Sequence, residues 1–214
     1  MTNLIRTATC CLFLLFTAFA AGAAENTMAQ QLLTETNLAR SAPQRYAEHL
    51  QELRRRFVGN AYQMPGSLAI VMTSEGVAAL DEAIRFLKAQ QPLAPLSWSA
   101  GLAESAADLV RDQGISGQIG HTGSRSGDML QRIERHGNWI STVAENIGYG
   151  PDTAQMMVMQ LIIDDGVADR GHRKNIFNPA FKVAGASCGA HAEFRRMCVM
   201  DFAGGFKQGK QKKQ

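Results

Sequence analysis

The sequence predicts an α+β fold in which an antiparallel sheet carries packed helices. Three observations predict it. Helical and strand-like segments alternate through the second half of the chain, yet the strands lie too close together for βαβ crossovers. "KVAGASCGAHAEFRRMCVMDFAGGF" reads as two short strands around a turn at His191–Arg195. Upstream, the apolar residues recur at helical spacing rather than in alternation.

Residues 1–24 stand apart from the rest. Arg6 is a lone positive charge, "CCLFLLFTAFA" is an apolar run, and Ala21 and Ala23 offer small residues at A-x-A spacing. That order predicts a cleaved secretory signal peptide and an exported chain, periplasmic or extracellular. The mature chain then has no transmembrane span. Cys10 and Cys11 precede the apolar run, where a lipobox cysteine would follow it. The cysteines left are Cys188 and Cys198, five residues either side of Glu193. A tight hairpin sets them opposite each other, and a structural disulfide is the expectation in an oxidising compartment. No CxxC or second thiol pair supports a zinc–thiolate site.

Residues 28–57 are helix-like, with Leu32, Leu33, Thr36 and Leu38 near helical spacing. Ser41 is placed to cap a second helix with Pro43 in its first turn. "GNAYQMPG" reads as a loop. "TSEGVAALDEAIRFLKAQ" is again amphipathic, with Val77, Leu80, Ile84 and Leu87 on one stripe. After the prolines of "QPLAPLSW", "SAGLAESAADLVRDQG" reads as a helix capped by Ser99 and ended by Gly114. A glycine-rich loop, "ISGQIGHTGSRSG", leads to a short helix, "DMLQRIERHG", and then to the strand-like "TVAENIGYG". "DTAQMMVMQLIIDDG" opens on Asp152 and is apolar nearly all round, as a buried helix is.

The formal net charge is +3. Lys207, Lys210, Lys212 and Lys213 crowd the last residues, so the body of the chain is slightly acidic. Basicity confined to a terminus does not make a nucleic-acid-binding face. HExxH, GxSxG, Walker A and GxGxxG motifs are all missing, which removes the usual support for zincin, α/β-hydrolase and dinucleotide readings.

What remains is a dispersed set of chemically useful groups. His121 sits in "GHTGS", Glu145 in "AENIGYG", Asp164 and Asp165 at the end of the buried helix, and His172 in "RGHRKNIFNP". Two imidazoles with two carboxylates suit a divalent ion, zinc above all, and equally a general acid–base pair. Each residue has a plainer reading. Glu145 is equally suited to pairing with Arg132 or Arg173. The aspartates oppose the helix dipole, and Arg170, Arg173 and Lys174 are the cations at hand to compensate them.

The ordered segments "GHTGS", "AENIGYG", "RGHRKNIFNPAFKVAGASCG" and "CVMDFAGGF" resemble the CAP superfamily (cysteine-rich secretory, antigen 5 and pathogenesis-related proteins, SCP-like domain), closest to its bacterial single-domain branch. The resemblance implies a three-layer α-β-α sandwich with a central antiparallel sheet. It divides the chain into a signal peptide (1–24), a helical extension (25–92), the CAP domain (93–206) and a basic disordered tail (207–214). It also implies a cleft able to hold a divalent cation, zinc foremost, with His121, Glu145, Asp164 and His172 as ligands and Asp165 as the other choice of acid. The "LII" before the acids replaces the aromatic pair of other members. In this reading His172 faces the cleft, Arg173 and Asn175 pin its loop to the sheet, and Arg170 and Lys174 are rim charges. Two functions follow from it: an exported module binding a lipid, glycan or protein, and a metal-dependent hydrolase with Glu145 as general base. No recognisable nucleophile favours the second.

Overall fold

The computed structural model describes residues 28–64 and 70–209. The expected signal peptide and the last five residues of the expected tail lie outside them. At the centre are β5 (Gly137–Tyr149), β6 (Val183–His191) and β7 (Arg195–Gln208), joined by a two-residue strand β4 (Ser97–Trp98) in the order β4-β6-β7-β5. β7 pairs antiparallel with both long neighbours, while β4 runs parallel to β6. β5 is therefore an edge strand, and the opposite edge is capped by only a short one.

Alternation along β7 divides the molecule into layers. Met197, Val199 and Ala203 face α4 (Ala100–Ser116) and α5 (Met129–His136), meeting Leu102, Ala106, Leu109 and Ile133. Cys198, Met200 and Phe202 face the other way. There they join one core with α1 (28–41), α2 (Pro43–Arg54), α3 (Val77–Ala89), α6 (Ala154–Ile163) and α7 (Gly171–Ile176). The three-layer α-β-α sandwich is as expected. The first three helices belong to its second helical layer and share the apolar core of the sheet. Close contact of α4 with the sheet depends on Gly185, where an added Cβ would stand 2.1 Å from the Ala103 nitrogen.

Several local expectations need correction. The segment expected to be helical extension and loop contains a small antiparallel sheet of β1 (Phe57–Val58), β2 (Ala61–Gln63) and β3 (Ile70–Met72). Strands of two or three residues are too short to show alternation; the cross-strand pair Phe57–Tyr62, 5.1 Å between ring centroids, holds this one together. α4 does not stop at Gly114 but runs to Ser116, with Gly117 in the left-handed region as its cap. Gly114 is there for clearance, since a Cβ would lie 2.5 Å from the Ala190 carbonyl oxygen. Ser99 does cap α4, accepting from the Leu102 nitrogen. Ser41 instead donates to the Asn37 carbonyl, and Thr153 rather than Asp152 caps α6. β7 continues through Lys207 and Gln208, into what was expected to be tail. Cys188 and Cys198 face each other across β6 and β7 and form a disulfide. Among the described residues no helix is long and apolar enough to cross a membrane.

Candidate functional site

Glu145 lies in the edge strand on the side of Val143 and Ile147, facing α4 and α5. Its side chain is 1% exposed. One carboxylate oxygen accepts from Arg132, which α5 delivers fully buried; the other faces His121 Nδ1 at 2.8 Å. Arg132 also donates to the carbonyls of His121 (3.1 Å) and Gly127 (2.7 Å), so one guanidinium fixes both the acid and the loop bearing the histidine. That loop is secured from α4. Asp112 accepts from Ser124 Oγ and from the Arg125 and Ser126 nitrogens, and these hydrogen bonds hold its carboxyl below the usual range despite burial. Tyr149 Oη accepts from the Gly120 nitrogen and donates to Gln113. The His121 ring ends half exposed.

Opposite Glu145 on β7 stands Asp201, completely buried. Burial, and then the charge of Glu145, hold its carboxyl well above the usual carboxylate range. Two carboxylates thus share the neighbourhood of one buried arginine.

The second pair forms where α6 ends. Asp164 takes a left-handed conformation (φ 57°) that stops the helix and turns its side chain toward α7. It accepts from the His172 nitrogen (2.9 Å), His172 Nδ1 (2.6 Å) and the Arg173 nitrogen (3.3 Å). Compensation of this acid therefore comes from backbone N–H groups and an imidazole, not from the neighbouring guanidinium groups. Those go elsewhere. Arg170 reaches Glu82 of α3 and Glu75 in the loop before it. Arg173 donates to the Ile162 and Ile163 carbonyls and to Glu82, over the ring of Phe86. These ion pairs hold the Glu75 and Glu82 carboxyls down at about 2. Arg170, expected on the rim, is thus a tether between the start of α7 and α3 with the loop before it. Asp165 accepts from the Ser74 and Glu75 nitrogens, leaving Asp164 as the acid that meets His172.

Asn175 does pin its segment to the sheet, donating to the Glu145 carbonyl and to Asn146, while Asn146 donates to the His172 carbonyl. Ile176, Phe177 and Phe181 anchor the segment by burial. The structure thus brings His121 to Glu145 and His172 to Asp164, as two acid–histidine pairs associated with adjacent residues of β5.

In each pair the carboxylate faces Nδ1, which leaves Nε2 as the free ring nitrogen. Carboxylates behind imidazoles in this way orient a metal ligand rather than serve as one. The donor set suits an ion held through imidazole nitrogen; it does not present four side-chain ligands together. Among the described residues, no three His, Cys, Asp or Glu side chains stand close enough to hold an ion.

Beside the second pair is a pocket of about 330 Å³ between the β1–β3 sheet and α6. Phe57, Tyr62, Met159 and Ile163 contribute apolar walls, and His172 and Asp164 stand among the lining groups. The small sheet that the sequence pattern did not disclose supplies one side of it. Asp201 also went unnoticed. Its signal was the one that marked Glu145: a lone acid within an otherwise apolar strand, "CVMDFAGG".

The model of a family described as the cysteine-rich secretory protein family, CAP, matches residues 33–202, a span that takes in most of α1 and all of α2 and α3. Solved structures resemble the chain at low identity. An extracellular protein containing an SCP domain from Bacillus anthracis is 19% identical, with 52% of this chain and 34% of that one covered, at a TM-score of 0.42. An outer surface protein from Borrelia burgdorferi is 17% identical over 55% of this chain and 80% of that one (TM-score 0.44). A cysteine-rich secretory protein from Staphylococcus aureus is 17% identical over 67% and 46% (TM-score 0.39). The chain thus spans about a third of the first of these proteins and under half of the third. No curated protein matches it.

Proposed function

The chain belongs to the cysteine-rich secretory protein (CAP) family, and from that premise we propose that it is an exported binding module taking an apolar ligand beside the His172–Asp164 pair. The pocket between the β1–β3 sheet and α6 carries this reading. Mostly apolar walls with a few convergent polar groups suit a ligand with a hydrocarbon body and a polar end. Of a lipid, a glycan and a protein segment, a lipid fits that lining best. Export is supported by the leader-like residues 1–24 and by the Cys188–Cys198 disulfide, which persists in an oxidising compartment.

A divalent cation, zinc foremost, would be held through Nε2 of His121 and His172, with Glu145 and Asp164 fixing the rings from behind. It would supply positive charge for a ligand's polar end. The hydrolase reading has less support. A general base needs a carboxylate oxygen turned to the substrate, and both oxygens of Glu145 are engaged by Arg132 and His121.

The test is titration of the purified chain with a polyene fatty acid whose fluorescence rises on leaving water. Saturable uptake is expected, weakened about tenfold or more in Val71→Asp, which sets a charge in the pocket wall at a partly exposed position. No saturable uptake by the parent, or equal uptake by the variant, overturns the reading.

A further inference from the structure

We propose that the outer face of the β1–β3 sheet, with the rim of the pocket behind it, docks on an uncharged lipid bilayer. The choice of partner rests on the apolar-ligand reading above. Register assigns the two faces of this sheet. Val58 pairs with Ala61 and Ala61 with Met72, so these three share one face, with Gln63 and Ile70 further along it. Phe57, Tyr62 and Val71 share the other, which lines the pocket. A sheet with one face on a core ordinarily turns polar residues to water. Here the outward face is apolar too. Val58, Met72 and Ile70 are 84%, 71% and 64% exposed, and the three strands carry no charged residue. Two other segments add exposed apolar residues to the pocket lining: Ile119 from the loop after α4, and Phe194 from the β6–β7 turn. Exposed apolar surface gathered in this way marks a contact with something other than water.

Size and charge choose the partner. Strands about 4.8 Å apart, with up to three residues rising about 3.4 Å each, present a face of about 150 Å². A stable protein interface takes about 800 Å² from each partner, so this face is too small to hold a second protein by itself. A bilayer sets no such minimum. Each apolar side chain that leaves water contributes by its own area, and binding grows with the apolar area buried. The arginines beside the patch are already paired: Arg54 with Asp81, Arg55 and Arg56 with Glu52, and Arg195, next to Phe194, with Asp152. The surface that fits is therefore uncharged lipid rather than an anionic one. Docking there sets the pocket against the layer in which an apolar ligand resides, so that the ligand enters without crossing water.

Flotation with phosphatidylcholine vesicles, using the chain purified from the exported fraction and no added fatty acid, tests the proposal. Val58→Ser/Ile70→Ser decides it, because both side chains lie on the outer face and neither lines the pocket. Ile140→Ser, an exposed position at the far end of β5 from Tyr149, is the control. The parent is expected to float with the vesicles about equally in low and high salt. The double variant is expected to partition about tenfold more weakly or worse, and the control to stay within about twofold of the parent. Both should keep the parent's thermal midpoint, since the substituted residues are exposed. Fatty-acid uptake from water, measured on the same samples, separates the two readings. Uptake kept by the double variant while vesicle binding is lost supports the docking surface. Vesicle binding by a parent that takes up no fatty acid overturns the apolar-ligand reading and leaves the surface standing. If the parent does not float, if high salt abolishes its binding, or if the double variant binds as the parent does, the proposal is wrong. A parent that instead dimerises in sedimentation equilibrium, with the double variant monomeric, overturns it in favour of a second copy of this chain.

Discussion

Arg132→Met, with Glu145→Gln as its partner change, measures how strongly the first acid–histidine pair depends on its buried cation. Methionine keeps much of the length and apolar stem of arginine and removes the charge. Arg132 is fully buried and donates to Glu145 and to the carbonyls of His121 and Gly127. Without it Glu145, 1% exposed, faces buried Asp201 across the strands with no cation in contact. Removing one partner of a buried pair costs about 3–5 kcal/mol. At about 2–4 °C per kcal/mol for a chain of this size, the midpoint should fall by about 6–20 °C. Glu145→Gln in the same background removes the orphaned charge and should restore about 2 kcal/mol. Urea unfolding of the parent, both single variants and the double variant closes the cycle. If Arg132→Met lies within about 1 kcal/mol of the parent, or if the two changes simply add, the pairing inferred here does not hold.

Other predictions concern pH and the second pair. The Asp201 carboxyl is held above its unfolded value of about 3.9, so the folded chain keeps a proton that the unfolded chain gives up. Its contribution is complete below about pH 4 and is lost as pH rises through the folded value. Asp201→Asn should therefore flatten the decline in stability above about pH 4; a profile parallel to the parent's refutes it. Glu75 and Glu82 act with the opposite sign. Held at about 2, they favour the folded state above about pH 4.3 and lose that contribution as pH falls toward 2. Glu82→Gln should reduce this acid sensitivity in circular-dichroism titrations, less visibly in high salt. Arg173→Ala should lower the melting temperature, because two carbonyls and Glu82 lose their donor, while leaving a calorimetric zinc titration unchanged. His121→Ala/His172→Ala should abolish the zinc titration, and zinc binding that survives it removes both imidazoles as ligands.

The layered architecture and the order of its main elements were legible because long segments repeat their signal. The apolar stripe of α3, the Ser99 cap and the paired cysteines of the β6–β7 hairpin each state a local rule that tertiary packing respects. At the site, residue types were legible but partners were not. Asp164 and Asp165 are neighbours of one type, yet one turns to His172 and the other to the loop before α3. A left-handed residue at the end of α6 makes that choice, and sequence periodicity carries no trace of it. Arg170 was misjudged for a related reason. Its partners Glu75 and Glu82 lie far upstream, and only the packing of α3 against α7 brings them near. The β1–β3 sheet stayed hidden because its strands are shorter than the pattern that would announce them.

β5 runs for thirteen residues along an edge of the sheet. A long unpaired edge is a template on which a second molecule can add a strand. Here Asn175 caps the Glu145 carbonyl, and Asn146 ties the strand to the start of α7. The ladder also shifts register between Ile140 and Val143, which breaks the regularity of the edge. The segment that carries His172 therefore covers part of that edge. Changes that loosen it, such as Asn175→Ala, should appear first as concentration-dependent aggregation while the monomer is still folded. The hydrogen bonds that hold the His172 segment against β5 thus also engage backbone on the open edge strand.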